Sequence, residues 1–196
     1  VANDPLYLMP DTSCPKPPPP FEGEMMFQPF PDADSYEHRM TIGFNGKEHE
    51  VVTRFAIAKE EAREQENAGN LPHGKHAKQN VGVSIVRAGR ELDMDQGWTI
   101  AYDPRERWWG VEVCFDPGLD ELFGVANNKQ SARNFSEAAK LDFKALAKDY
   151  DGSISAARAA LEEDENPIAP MIEVITRIQS NIEQMRQQIK TQGTRR

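Results

Sequence analysis

The sequence predicts an α+β fold: a mixed or antiparallel four-stranded sheet packed against helices, with a Pro-rich N-terminal arm and a long C-terminal heptad helix. Three observations predict it. Short runs rich in β-branched and aromatic residues, bounded by Gly, Asn and Pro, fill residues 38–115. Helical patterning takes over after Pro117. Isoleucines then recur every seven residues, at Ile168, Ile175, Ile182 and Ile189.

Pro10, Pro15, Pro17, Pro18, Pro19, Pro20, Pro29 and Pro31 crowd residues 1–35. Consecutive prolines fix φ and favour polyproline II, so this stretch reads as an extended, semi-rigid arm. A solvated linker is one reading of it. A packed strap is the other, because Phe21, Met25, Met26, Phe27 and Phe30 would be wasted in water.

Residues 36–165 form the expected α+β unit. His38 to Phe44 alternates apolar and polar residues, Asn45-Gly46 is a strong hairpin turn, and Glu50 to Ile57 returns as the second strand. A polar, helix-prone piece at 58–67 leads into a loop with Pro72 and Gly74. Val81 to Arg87 reads as a third strand closed by an Ala88-Gly89 turn. Asp93 to Arg107 reads as a long excursion. Trp108 to Phe115 is the fourth strand, and the tryptophans read as core or a surface cap. Pro117 suits the first turn of a short helix that points Leu119, Leu122 and Phe123 inward. Further helices are predicted from Glu137 through Ala147 and from Ser153 to Glu163.

Residues 166–196 form the last helix, with Asn166 as N-cap and Pro167 at the first helical position. Met171, Ile178 and Met185 complement the isoleucines as a heptad seam. Ile172 and Val174 widen the stripe only at its start, so later turns are expected to leave as a narrow seam. Two destinations stay open: a homodimer through Ile168, Ile175, Ile182 and Ile189, or packing back onto the same chain.

Composition excludes several classes of function. The 196 residues carry a net charge of −9 and are 38% hydrophobic, so there is no wholesale basic footprint and the core is modest. No apolar run approaches the ~20 residues of a membrane span, so no membrane partner is expected. The two cysteines, Cys14 and Cys114, lack CxxC partners, so neither a disulfide framework nor a metal site is expected. A soluble, cytoplasmic piece of a larger protein is the expectation, the chain opening on Val1 rather than Met.

Few motifs carry chemistry. His73-Gly74-Lys75-His76 lacks the glutamate of a metalloprotease helix, and Gly69 to Gly74 is not a phosphate-binding P-loop. His73 to Arg90 holds Lys75, Lys78, Arg87 and Arg90 with no acid, which suits either a solvated face or contact with phosphates, nucleic acid or an acidic domain. Leu119 to Phe135 runs from an apolar stretch into a polar Asn127-Asn128-Lys129-Gln130 loop. On residue chemistry alone, Lys129 is an exposed point charge on a reaching stem.

Three blocks add a resemblance: Val83 to Glu91, Tyr102 to Val113, and Leu119 to Gln130. Together they resemble bacterial ATP-binding proteins of the GHKL superfamily, which groups gyrase, the heat-shock chaperone ATPase, histidine kinases and MutL. The blocks match the second, transducer-type domain. Val125, Asn127, Lys129, Arg133 and Phe135 also follow the order of the MutL transducer loop, although the spacing departs after Lys129. The resemblance implies that Lys129, flanked by Asn128 and Gln130, reaches the γ-phosphate of ATP. The nucleotide and its Mg2+ would be held by a preceding nucleotide-binding domain. Nothing in the chain resembles that domain's Asp-x-Gly-x-Gly loop, so strong ATP binding by this chain alone is not expected.

Overall fold

The computed structural model describes residues 4–10 and 13–193. The fold is α+β, but the sheet is mixed and has six strands rather than the expected four. The strands are β1 (Phe27–Pro29), β2 (Glu37–Phe44), β3 (Lys47–Ala58), β4 (Val83–Arg87), β5 (Arg90–Asp95) and β6 (Trp109–Phe115). Their order is β1-β3-β6-β4-β5, with β2 pairing β3 beside β1. Every pairing is antiparallel except β4 with β6, which is parallel.

Local chemistry explains the tight turns. Asn45 and Gly46 take φ of 51° and 72°, the two positive values that a two-residue hairpin loop needs to match strand twist. Ala88 and Gly89 repeat this between β4 and β5, at 48° and 77°. The two additional strands had weak signals. β5 reads Arg-Glu-Leu-Asp-Met-Asp, charged enough to resemble an excursion. β1 lies within the Pro-rich arm and ends at Pro29, at the edge of the sheet, where a missing N–H is tolerated.

The helices are α1 (Glu60–Arg63), α2 (Pro72–Gln79), α3 (Asp120–Phe123), α4 (Arg133–Ala138), α5 (Phe143–Lys148), α6 (Ile154–Glu163) and α7 (Ile172–Gly193). α2 occupies the segment expected to be a loop. Pro72 starts it, and Gly74 allows it to cross the preceding turn, where a Cβ would sit 2.1 Å from the Ala68 carbonyl oxygen. The helix expected from Glu137 through Ala147 is divided into α4 and α5, leaving Leu141 exposed between them. The last helix begins at Ile172, later than expected. The Asn166 side chain accepts the Ile168 N–H at 3.1 Å, and a single 3-10 turn, Ala169–Met171, leads into α7.

α7 packs across β3 and β6, which settles the destination of its seam. Ile172, Val174, Ile175, Ile178, Ile182, Met185 and Ile189 are all buried. The later turns therefore do not leave the body of the protein as a narrow seam. Ile175, Ile182 and Ile189 are closed to a partner helix, and Ile168 is half-buried against the same core. The physical reason is the breadth of the sheet face. Register places Phe55, Ile57, Trp109, Val111 and Val113 on one side, an apolar surface wider than a second seam would offer.

The opposite face is covered by the arm. Leu6 packs over Gly110, and the Tyr7 ring lies 4.6 Å from that of Phe27. Met26, Phe27 and Phe30 are buried, and β1 is zipped to β3. The arm thus packs as a strap and adds a strand to the sheet.

One polar cluster fixes α7 to the sheet. The Glu106 carboxylate is only 3% exposed and accepts from the Ile100 N–H at 3.0 Å and from Arg186 on α7 at 2.7 Å. It also accepts the Trp109 indole N–H. The Arg186 guanidinium lies 5.9 Å from the centre of the Trp109 ring and donates to the Trp98 carbonyl at 3.1 Å. Removing one member of such a pair strands the other's charge. Glu106→Ala is expected to lower the unfolding free energy by about 3–5 kcal/mol in denaturant titrations.

Candidate functional site

The loop bearing Lys129 is built from a helix end and a clasp. Asp116 accepts the Gly118 N–H at 2.7 Å and starts the turn that leads into α3. Gly124 ends α3 with φ of 68°, its N–H returning to the Asp120 and Glu121 carbonyls. A side chain there would be strained by that φ and would bring a Cβ within 2.7 Å of the Asn134 backbone nitrogen. Beyond Gly124 the chain doubles back: Val125 bridges Ala132, and the Arg133 N–H donates to the Gly124 carbonyl at 2.9 Å. Aromatic rings form the floor. Phe123 stacks on Phe115 at 4.1 Å and on Phe135 at 5.3 Å, and Phe135 meets Trp98 at 5.0 Å.

Within the loop, Asn128, Lys129 and Gln130 are exposed together. The Lys129 N–H donates to the Ala126 carbonyl at 2.7 Å, and the Gln130 N–H donates to the Asn128 side chain at 3.2 Å. Lys129 takes a left-handed φ of 52°. Its side chain is 49% exposed, with Nζ 3.6 Å from Asp120 Oδ2.

Asp120 has a stronger partner. Arg87, the last residue of β4, donates from Nε and Nη2 to the two Asp120 oxygens at 2.6 and 2.7 Å. The Arg87 fork, helped by Lys129, holds the Asp120 carboxyl below the usual carboxylate range. Two cations thus surround one carboxylate, leaving the cluster with one excess positive charge at an open surface. The parallel pairing of β4 with β6 sets Arg87 level with Phe115, next to the chain that continues into α3. The three sequence blocks from Val83, Tyr102 and Leu119 therefore meet in space.

Of the residues singled out in the sequence, Asn128, Lys129 and Gln130 come together. Phe135 is buried in the aromatic floor, while Arg133 is exposed at the start of α4. Arg87 was legible only as part of a basic segment. Asp120 gave no signal beyond its place in a first helical turn. The basic segment itself is divided. Lys75 and Lys78 lie on α2, while Arg87 and Arg90 flank the turn at the far end of β4, a strand about 13 Å long. Arg87 is also occupied by Asp120.

Other polar groups serve structure. Across β2, β3 and β6, charges alternate along Glu50, Arg39, Glu37, Arg54 and Glu112. Cys114 sits beside this ladder, its thiol pushed up to about 12 mainly by burial, so it stays protonated and poorly nucleophilic. His73 is buried and donates from Nε2 to the Ala62 carbonyl at 2.9 Å, and burial lowers its pKa. Among the described residues, no group of His, Cys, Asp and Glu is arranged to hold a metal ion. No helix in the described residues is long and apolar enough to cross a membrane.

Comparison with protein-family models, with curated proteins and with solved structures finds no match.

Asn tolerates a left-handed φ better than Lys, and an exposed ion pair contributes at most about 1 kcal/mol. Lys129→Asn is therefore expected to leave the unfolding free energy within about 1 kcal/mol of its starting value in denaturant titrations. The depressed Asp120 pKa also has a definite sign: its stabilisation is present above the ordinary aspartate range and is lost as pH falls through the lower folded value. Carboxyl NMR should show Asp120 titrating below ordinary aspartates, with Arg87→Ala restoring its pKa more than Lys129→Ala does.

Proposed function

We propose that this chain is a transducer-type domain of a GHKL ATPase, in which Lys129 contacts the γ-phosphate of ATP held by a preceding nucleotide-binding domain. The observation that carries the reading is the exposed lysine at the tip of a clasped loop, beside a carboxylate already satisfied by Arg87. Such an ammonium is positioned by its backbone yet weakly held by its neighbours, as a group that must reach a phosphate needs to be. Two further points support the reading. Two of the resembling blocks, from Val83 and from Leu119, meet at this loop through Arg87 and Asp120. Lysine also occupies a backbone position that Gly or Asn would fill with less strain.

The residues present fit a limited role. Lys129 offers one cation, with Asn128 and Gln130 supplying amides beside it, on an open surface that does not enclose an adenine. ATP and Mg2+ would be held mainly by the preceding domain, whose metal ion supplies most of the charge neutralisation at the phosphates. Lys129 would add a preplaced positive charge where negative charge develops on the terminal phosphate. The rigid floor of Phe115, Phe123 and Phe135 would then link the loop to β6, and β6 packs against α7. Nucleotide state could be passed to the C-terminal helix by that route.

The test uses this chain joined to its nucleotide-binding domain. Lys129→Ala is expected to reduce ATP turnover by at least about a hundredfold, the scale of one lost transition-state donor, while circular dichroism and melting stay unchanged. Unchanged turnover would exclude this role for Lys129.

A further inference from the structure

We propose that Asp120 is a resting counter-ion that holds Lys129 away from phosphate, so that the loop has a parked and an engaged position; this rests on the reading of Lys129 as a phosphate contact. The geometry is asymmetric. Arg87 takes both Asp120 oxygens at hydrogen-bonding distance, whereas the Lys129 ammonium stands 3.6 Å from Oδ2. That oxygen already accepts from Arg87 Nη2 at 2.7 Å. Lys129 is thus the second cation on a shared atom, beyond ordinary hydrogen-bond length. It is the partner that leaves when a stronger anion arrives, and Asp120 then remains neutralised by Arg87.

The same carboxylate acts twice. It attracts the ammonium in the parked position, and it offsets part of the positive charge that an approaching phosphate would otherwise meet. Both effects raise the anion concentration needed to engage Lys129. The arrangement therefore favours a phosphate chain already fixed nearby over free phosphate in solution. Arg87 is the positioning residue, because its fork fixes the Asp120 carboxylate against the end of β4.

The probe is inorganic tripolyphosphate, titrated into this chain at low salt and followed by NMR of the loop amides and the Lys129 side chain. The wild-type chain should bind weakly. Asp120→Asn should bind at least about tenfold more tightly, the scale expected for removing one unit charge about 5 Å away, with shifts centred on Asn128, Lys129 and Gln130. Adding Lys129→Ala to Asp120→Asn should abolish the gain, and Asp120→Glu should retain weak binding. Asp120→Ser serves the same purpose if Asn disturbs α3. No gain on removing the charge, or a gain that survives Lys129→Ala, overturns the proposal. If the tripolyphosphate result holds but Lys129→Ala leaves ATP turnover intact, the ATPase reading fails while the parked lysine stands. The reverse pattern overturns the parked lysine alone.

Discussion

Burial of α7 against β3 and β6 is the constraint on which the remaining structure depends. Sheet and helix each carry an apolar face that is unstable in water, and each covers the other. Glu106 and Arg186 fix the position of this contact by joining the helix to the turn before β6 through Trp109. A purely apolar interface would tolerate sliding; a buried carboxylate with several donors tolerates little, because each displaced donor leaves unpaired charge in a dry site.

β6 connects the two ends of the molecule. Its first residue, Trp109, meets Arg186, and its last, Phe115, stacks beneath the lysine loop. Hydrogen bonds to β3 on one side and β4 on the other prevent it from bending independently. The loop is therefore mounted on one of the most constrained elements of the fold. β6 thus lies between the lysine loop and α7, whereas the arm-side charge ladder lies on the other face.

Legibility in the sequence followed local signal strength. The β2–β3 hairpin was readable because Asn45-Gly46 dictates its turn whatever surrounds it. Leu119, Leu122 and Phe123 were readable as an inward face, and all three are buried. The fate of the heptad seam was not readable, since spacing describes a stripe and not what covers it. α2 was missed because Pro72 and Gly74 look like loop residues unless the crossing with Ala68 is known. In the site, Asn128, Lys129 and Gln130 were visible as a polar run. The Arg87–Asp120 pair was not, because parallel pairing of β4 with β6 creates it between residues 33 positions apart.

The outer strand β5 shows what its unusual composition achieves. It forms one edge of the sheet, where unpaired backbone groups could template another extended chain. Arg90, Glu91 and Asp93 place charge along that rim. A second chain adding there would have to desolvate these groups or oppose like charges. The opposite rim is divided between two strands, the eight-residue β2 and the three-residue β1, which ends at Pro29. The features that made β1 and β5 hard to recognise as strands are thus those that keep the sheet from growing, and they protect the chain against edge-to-edge aggregation.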